Sequence, residues 1–194
     1  MKTSNLTGSN SPAPVSRRHF LMSAGAAAAA VSVVPRDVLG GPRHVPPSER
    51  INVAYIGCGS QGLRQLLEAL PKPDLNIVAV CDPNRRSDDY PEWGKHEVNN
   101  KVAKFLEDPD WAKGARGGLC GREVGLEVVS RYYAKQKRSG QTTPCRAYVD
   151  FRELLEKERD LDAVYNMTPE HLHGVVAVRA MRKGKHILTH KPIS

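Results

Sequence analysis

The run Gly57-Cys58-Gly59-Ser60-Gln61-Gly62 has the spacing G-x-G-x-x-G, between an apolar stretch, Ile51–Ile56, and a helical pattern that stops at Pro71. Glycines at these places suit the holding of a pyrophosphate. The first permits a tight turn from strand to helix, the second lets backbone approach the phosphates, and the third lets the helix pack on the strand. The helix start adds free N–H groups and the positive end of its dipole. A second apolar run, Leu75–Cys81, ends in Asp82, whose carboxylate can accept hydrogen bonds from ribose hydroxyls. Strand, turn, helix, strand and acid follow one another within about 30 residues, the span of one βαβ unit. The six turn residues and Asp82 are therefore candidate dinucleotide-binding residues. Glycines placed for packing alone would not call for the acid.

Other reactive side chains are less well placed for chemistry. Cys58, Cys81, Cys120 and Cys145 are 23, 39 and 25 residues apart, which fits no zinc or redox motif and reads as small core or turn residues. His171-x-His173 lacks a third ligand at workable spacing, so no metal site is expected. Arg85-Arg86 could hold a 2′-phosphate, but Asp82 repels one, so NAD is favoured with NADP as the alternative. The net charge of +8 divides evenly: residues 1–50 carry six Lys/Arg against Asp37 and Glu49, and the rest carry 23 basic against 19 acidic groups. With three Phe and two Trp there is no stacking platform, and nucleic-acid binding is not expected.

The elements that must position these groups alternate. Leu63, Leu66, Leu67 and Leu70 form an i, i+3, i+4, i+7 stripe. Residues 83–147 are too long for an ordinary crossover. They contain a short helix over Val98–Leu106, a glycine-rich loop over Gly114–Gly121, and a helix through Val124, Val128, Val129 and Tyr132. A strand is predicted at Arg146–Val149, then a helix capped by Asp150 with Glu153 completing a capping box and Phe151, Leu154 and Leu155 inward. A buried strand over Asp162–Thr168 precedes a helix over His171–Lys183, with Leu172, Val175, Val176 and Ala180 on its inner face, and a last strand over His186–Thr189. This order specifies an α/β fold with a doubly wound parallel sheet, whose ligands bind beyond the carboxyl ends of the strands. The strand ends are Gly57–Gly62, Asp82, Thr168–His173 and His190–Pro192.

The first fifty residues read as an address. Ser16-Arg17-Arg18-His19-Phe20-Leu21 matches the twin-arginine export consensus, and the alanine-rich Phe20–Val34 is too short and weakly apolar to span a bilayer. The expected organisation is a signal peptide over 1–34, a linker over 35–50 and a dinucleotide-binding domain over 51–194. The expected location is the periplasm or cell envelope, and the twin-arginine machinery is a partner.

The strand ends together resemble the Gfo/Idh/MocA family of nicotinamide-dependent oxidoreductases. The marks are the glycine turn, Cys81-Asp82, the segment Asp162–His173 and the segment Gly184–Pro192. The resemblance implies an NAD(P) cofactor and a sugar, inositol or related polyol as substrate. It places Thr168 and Pro169 under the nicotinamide side, His173 on the cofactor side, and Lys191 in the catalytic role of contacting cofactor and substrate. A cationic amine there can stabilise negative charge developing on the reacting hydroxyl. His190 stands where the family commonly has glutamate. The family's second domain, which supplies the remaining pocket and the oligomer interface, has no counterpart in these 194 residues. The chain is thus expected to be the amino-terminal half of such an enzyme, oligomeric only with that second domain. Two alternatives stand beside it, a non-catalytic dinucleotide-binding fragment and an NAD-dependent glycosidase relative. Lys191-Pro192 counts against the glycosidase.

Overall fold

The computed structural model describes residues 45–92, 94–136 and 144–193. The export segment 1–34 and most of the linker lie outside the described residues. Five strands form one parallel sheet: β1 (Ile51–Ile56), β2 (Leu75–Cys81), β5 (Arg146–Tyr148), β6 (Ala163–Asn166) and β7 (His186–Thr189), in the order β5-β2-β1-β6-β7. A separate antiparallel pair joins β3 (Ser87–Tyr90) to β4 (Gly118–Cys120). The helices are α1 (Ser60–Ala69), α2 (Glu97–Leu106), α3 (Arg122–Gln136), α4 (Phe151–Lys157) and α5 (His173–Arg182).

The strands send side chains to two cores, and an irregularity at Val78 of β2 shifts the alternation so that Ile77 and Val80 share a face. Val53, Tyr55, Ile77 and Val80 face Leu63, Leu66 and Leu70 of the α1 segment and Val124, Val128, Val129 and Tyr133 of α3. Ala54, Ile56, Val78, Cys81 and Val164 face Leu154 and Leu155 of α4 and Val176 and Ala180 of α5. Leu63, Leu66 and Leu70 are fully buried, each contributing about 1.5–3 kcal/mol of burial free energy. Helices on both faces and all-parallel pairing make this a doubly wound, Rossmann-type sheet. β1 runs outward to β2 and β5 on one side, and the chain then returns to β6 and β7 on the other. The topological switch point therefore lies between β1 and β6.

Several expectations change in the structure. The stretch 83–147 divides in two: 83–121 carries the β3–β4 pair and α2, whereas α3 is the crossover helix that leads from β2 to β5 and packs on the sheet. The expected glycine-rich loop contains β4, because Gly117 and Gly118 lie along the β3 segment. On α3 the inward tyrosine is Tyr133, whose hydroxyl accepts from Ile77 N at 2.8 Å; Tyr132 packs against Phe105 instead. Asp150 does cap α4, accepting from Arg152 N, but Glu153 pairs with Lys157 on the outer face and closes no capping box. The helix after β6 begins as a 3-10 turn at Glu170–Leu172, and Val175 is 49 % exposed because the burial stripe of α5 runs through His173, Val176, Ala177 and Ala180.

One polar cluster fastens the outermost strand. Glu158 is buried and accepts from Arg146 Nε at 2.7 Å, from a second Arg146 guanidinium nitrogen, and from the Tyr148 hydroxyl at 2.6 Å. Burial, helped by that bond to the carboxylate, pushes the Tyr148 phenol up to about 12. Glu158→Ala should lower stability by about 1–3 kcal/mol, since it strands a buried hydroxyl. Arg146 is half exposed, so the loss should stay below that of a fully buried ion pair. Urea unfolding of the two proteins checks this, and equal midpoints would mean that water replaces the carboxylate without cost.

Candidate functional site

The sheet register brings the candidate residues to one level. Ile56 pairs with Cys81 on one side and with Asn166 on the other, and Asn166 pairs with Thr189. The glycine turn, Asp82, Thr168 and His190–Pro192 therefore all emerge from the same edge of the sheet.

The three glycines answer to different demands. Gly57 has φ +99°, and a Cβ there would lie 2.4 Å from Met167 O, across the switch point. A Cβ on Gly62 would lie 2.0 Å from Gly57 O, so the third glycine is required by the contact of helix with turn. Gly59 differs. Its φ of −76° suits any residue, and a Cβ there would meet only the Tyr90 ring, at 3.3 and 3.6 Å. The fold demands Gly57 and Gly62 through backbone contacts, while Gly59 faces only the ring of Tyr90. No side chain caps α1 and no acid lies in its first turn, which leaves the positive end of the helix to an anion.

Asp82 is 6 % exposed and already engaged: Oδ2 accepts from Cys58 N and Oδ1 from Asn84 N, each at 2.8 Å. Burial raises its carboxyl above the usual range, against the pull of those two N–H groups and of Arg122. The acid thus braces the glycine turn. Arg85 and Arg86 are paired with Glu123 (2.5 Å) and Glu127 (3.0 Å) of α3. Ser60 and Gln61 are half-buried at the start of α1.

On the other side of the switch point, Asn166 is fully buried and joins three elements. Its Oδ1 accepts from the Thr168 hydroxyl at 2.8 Å, and its Nδ2 donates to His173 O and Thr189 Oγ1, both at 3.3 Å. His173 is 1 % exposed, with Nε2 2.8 Å from Thr168 O and Nδ1 2.5 Å from Pro192 O. Its ring is thus clamped between the ends of β6 and β7, while His171 is exposed, and the two histidines do not converge. Lys191 and Pro169 are exposed at those same strand ends. Among the described residues no group of three His, Cys, Asp or Glu side chains could hold a metal. Burial raises the thiols of Cys58, Cys81, Cys120 and Cys145, the last three to about 12, so none is a nucleophile at neutral pH.

Sequence reasoning passed over Asn84, Tyr90 and Asn166. For Asn166 a signal existed, a polar residue closing the apolar run Ala163–Tyr165. For Asn84 and Tyr90 there was none, because their positions depend on how 83–121 folds back.

The sheet order and the strand-end site define a Rossmann-type nucleotide-binding domain. The model of the Gfo/Idh/MocA oxidoreductase family, described as an NAD-binding Rossmann fold, matches residues 122–194, from the start of α3 onward. Among curated proteins, a dTDP-3,4-didehydro-2,6-dideoxy-alpha-D-glucose 3-reductase of Streptomyces violaceoruber is 42 % identical over 67 residues, covering 34 % of this chain and 19 % of its own length. A glycosyl hydrolase family 109 protein of Saccharopolyspora erythraea is 26 % identical over 90 % of this chain and 32 % of its own. An alpha-N-acetylgalactosaminidase of Shewanella oneidensis is 24 % identical over 93 % of this chain and 34 % of its own. The chain thus spans about a third of the length of these relatives, or less. The solved structure of scyllo-inositol dehydrogenase from Lactobacillus casei, with NAD(H) and scyllo-inositol bound, is similar with a TM-score of 0.44 and 17 % identity, over 75 % of this chain and 29 % of that one.

Proposed function

We propose that this chain is the nucleotide-binding part of an exported NAD(P)-dependent oxidoreductase acting on a sugar, inositol or related polyol. The observation that carries the reading is the glycine turn: two of its glycines are demanded by backbone crowding, and the third meets no backbone atom, only the edge of the Tyr90 ring, at an uncapped helix start. A pyrophosphate fits that cradle, with Asp82 beside it for the ribose. When bound, the nicotinamide cofactor supplies a two-electron hydride acceptor or donor. The chain's own residues do the rest. The turn backbone and α1 would hold the phosphates, and Thr168 and Pro169 would support the nicotinamide side. His173 and Asn166 tie the ends of β6 and β7 together, so that Lys191 can orient the substrate hydroxyl and stabilise charge on it. NAD is the favoured cofactor, since Asp82 is anionic when ionised and Arg85 and Arg86 are paired with acids of α3. The full chain, titrated calorimetrically, should bind NAD more tightly than NADP. Binding of neither would overturn the reading.

A second reading is favoured by one observation. The glycosyl hydrolase family 109 relatives align over 90 % or more of this chain, insertion included. The complete protein would then use transient oxidation to cleave a glycoside. Both chemistries need an oxidisable carbinol on a carbohydrate, and release of p-nitrophenol from a p-nitrophenyl glycoside without net reduction of NAD would select the second.

Export rests on the arginine pair. Replacing Arg17 and Arg18 together by lysine keeps the charge but removes both guanidinium groups. A tagged precursor should then accumulate in the cytoplasm. Unchanged export on fractionation would assign the segment to the general secretory route.

A further inference from the structure

Segment 83–121 is wired into the dinucleotide cradle rather than hung from its side. Ser60 Oγ donates to Pro91 O at 2.9 Å, Gly121 N donates to Cys58 O at 2.9 Å, and the Arg64 guanidinium of α1 meets Glu97 of α2 at 2.7 Å. A hydrogen-bonded path runs through the same place. Cys58 N donates to Asp82, Asn84 N donates to the other oxygen of that carboxylate, and Asn84 Nδ2 donates to the Tyr90 hydroxyl at 2.5 Å. The phenol is held at its far end, and its ring edge lies over Gly59, the glycine of the turn that has no backbone crowding it. Tyr90 is half-buried, and burial raises its phenol above the usual value, so the hydroxyl stays protonated at neutral pH.

We infer that Tyr90 is a dinucleotide-contacting residue. With β3 it forms a third wall of the site, beside the ribose–pyrophosphate half of the cofactor, between the turn backbone and Asp82. This rests on the reading that the turn binds a dinucleotide. The wall has a physical consequence. The ring edge beside the turn keeps water from the helix start, and fixed N–H dipoles act more strongly on an anion in a drier site. Tyr90 therefore adds affinity and slows release, without touching the nicotinamide end.

The test uses the full chain as wild type, Tyr90→Ala and Tyr90→Phe, each titrated with NAD, ADP-ribose and nicotinamide mononucleotide. Tyr90→Ala should weaken NAD and ADP-ribose by about tenfold or more, which is about 1.4 kcal/mol, and speed NAD release in stopped flow. Affinity for the mononucleotide, which keeps one phosphate but lacks the adenosine ribose, should fall less than that for either. Tyr90→Phe, which keeps the ring but loses the tie to Asn84, should fall between wild type and Tyr90→Ala. A second measurement needs no variant: in the NAD-bound wild type, nuclear Overhauser contacts should join the Tyr90 ring protons to the cofactor's adenosine ribose. This keeps the test open should Tyr90→Ala fail to fold. Wild type that binds no NAD overturns the dinucleotide reading and this inference with it. Wild type that binds, with an unchanged Tyr90→Ala or with no ring-to-ribose contact, overturns this inference alone. Tighter binding by Tyr90→Ala would make the ring a plug on the phosphate position and would also overturn it.

Discussion

Gly59→Val should give a protein that folds and does not bind NAD. The backbone at Gly59 has φ −76° and ψ −175°, a conformation that valine adopts readily. The new Cβ would meet the edge of the Tyr90 ring at 3.3 Å and no backbone atom, so a shift of a few tenths of an ångström accommodates it. Valine is a poorer helix N-cap than glycine, which costs about 1 kcal/mol or less. The two methyl groups, however, stand on the face of the turn that a pyrophosphate needs. Affinity for NAD should fall by at least about a hundredfold, or about 2.7 kcal/mol. Calorimetric titration measures the loss, and circular dichroism with urea unfolding confirms that the sheet survives. A Gly59→Val chain that binds NAD like wild type would remove the basis of the functional proposal.

Gly62→Ala should fail on the other axis. Its single added carbon would lie 2.0 Å from Gly57 O and 2.9 Å from Gly57 C, both backbone atoms of the turn. No rotamer relieves that overlap. Either α1 moves away from β1, exposing Leu63 and Leu66, or the turn opens and its contact with Met167 is lost. The cost should exceed ~3 kcal/mol, above the usual range for overpacking in a core. Domains of this kind are stable by about 5–15 kcal/mol in total, so the urea midpoint should drop sharply and soluble yield with it. An unfolding curve that overlays wild type would show that helix and turn are not in contact as described. One glycine separates binding from folding, and its neighbour three residues on joins them.

Much of the architecture was legible because local pattern and global position agree. The leucine stripe of α1, the apolar runs of β1 and β2 and the glycine spacing are all short-range features, and a parallel sheet converts their order into place. β7 appears at His186–Thr189 as expected, and Asp150 caps α4. The boundaries that shifted are those where periodicity was ambiguous. Val175 and Val176 are adjacent valines, and only the packing of α5 on the sheet decides that the second one turns inward. Tyr132 and Tyr133 pose the same choice on α3, settled by the hydrogen bond between the Tyr133 hydroxyl and Ile77 N.

The sequence by itself determined the class of fold and the residue types that stand at the carboxyl ends of its strands. Glycine turn, acid, Thr168-Pro169 and Lys191 are all readable, because each follows directly on a strand and the strands are parallel. Only the tertiary structure decided how these groups are held. Asp82 spends both oxygens on backbone N–H groups of the site, His173 faces two carbonyls rather than open space, and Asn166 joins β6 to β7 and α5. Tyr90 reaches Gly59 from 31 positions away, through an antiparallel pair that no local pattern announces. The reason is physical. Strand, helix and turn are set by interactions within a few residues, whereas a buried polar group takes whichever partner the fold brings within hydrogen-bonding distance. That partner is fixed only when distant segments close on each other.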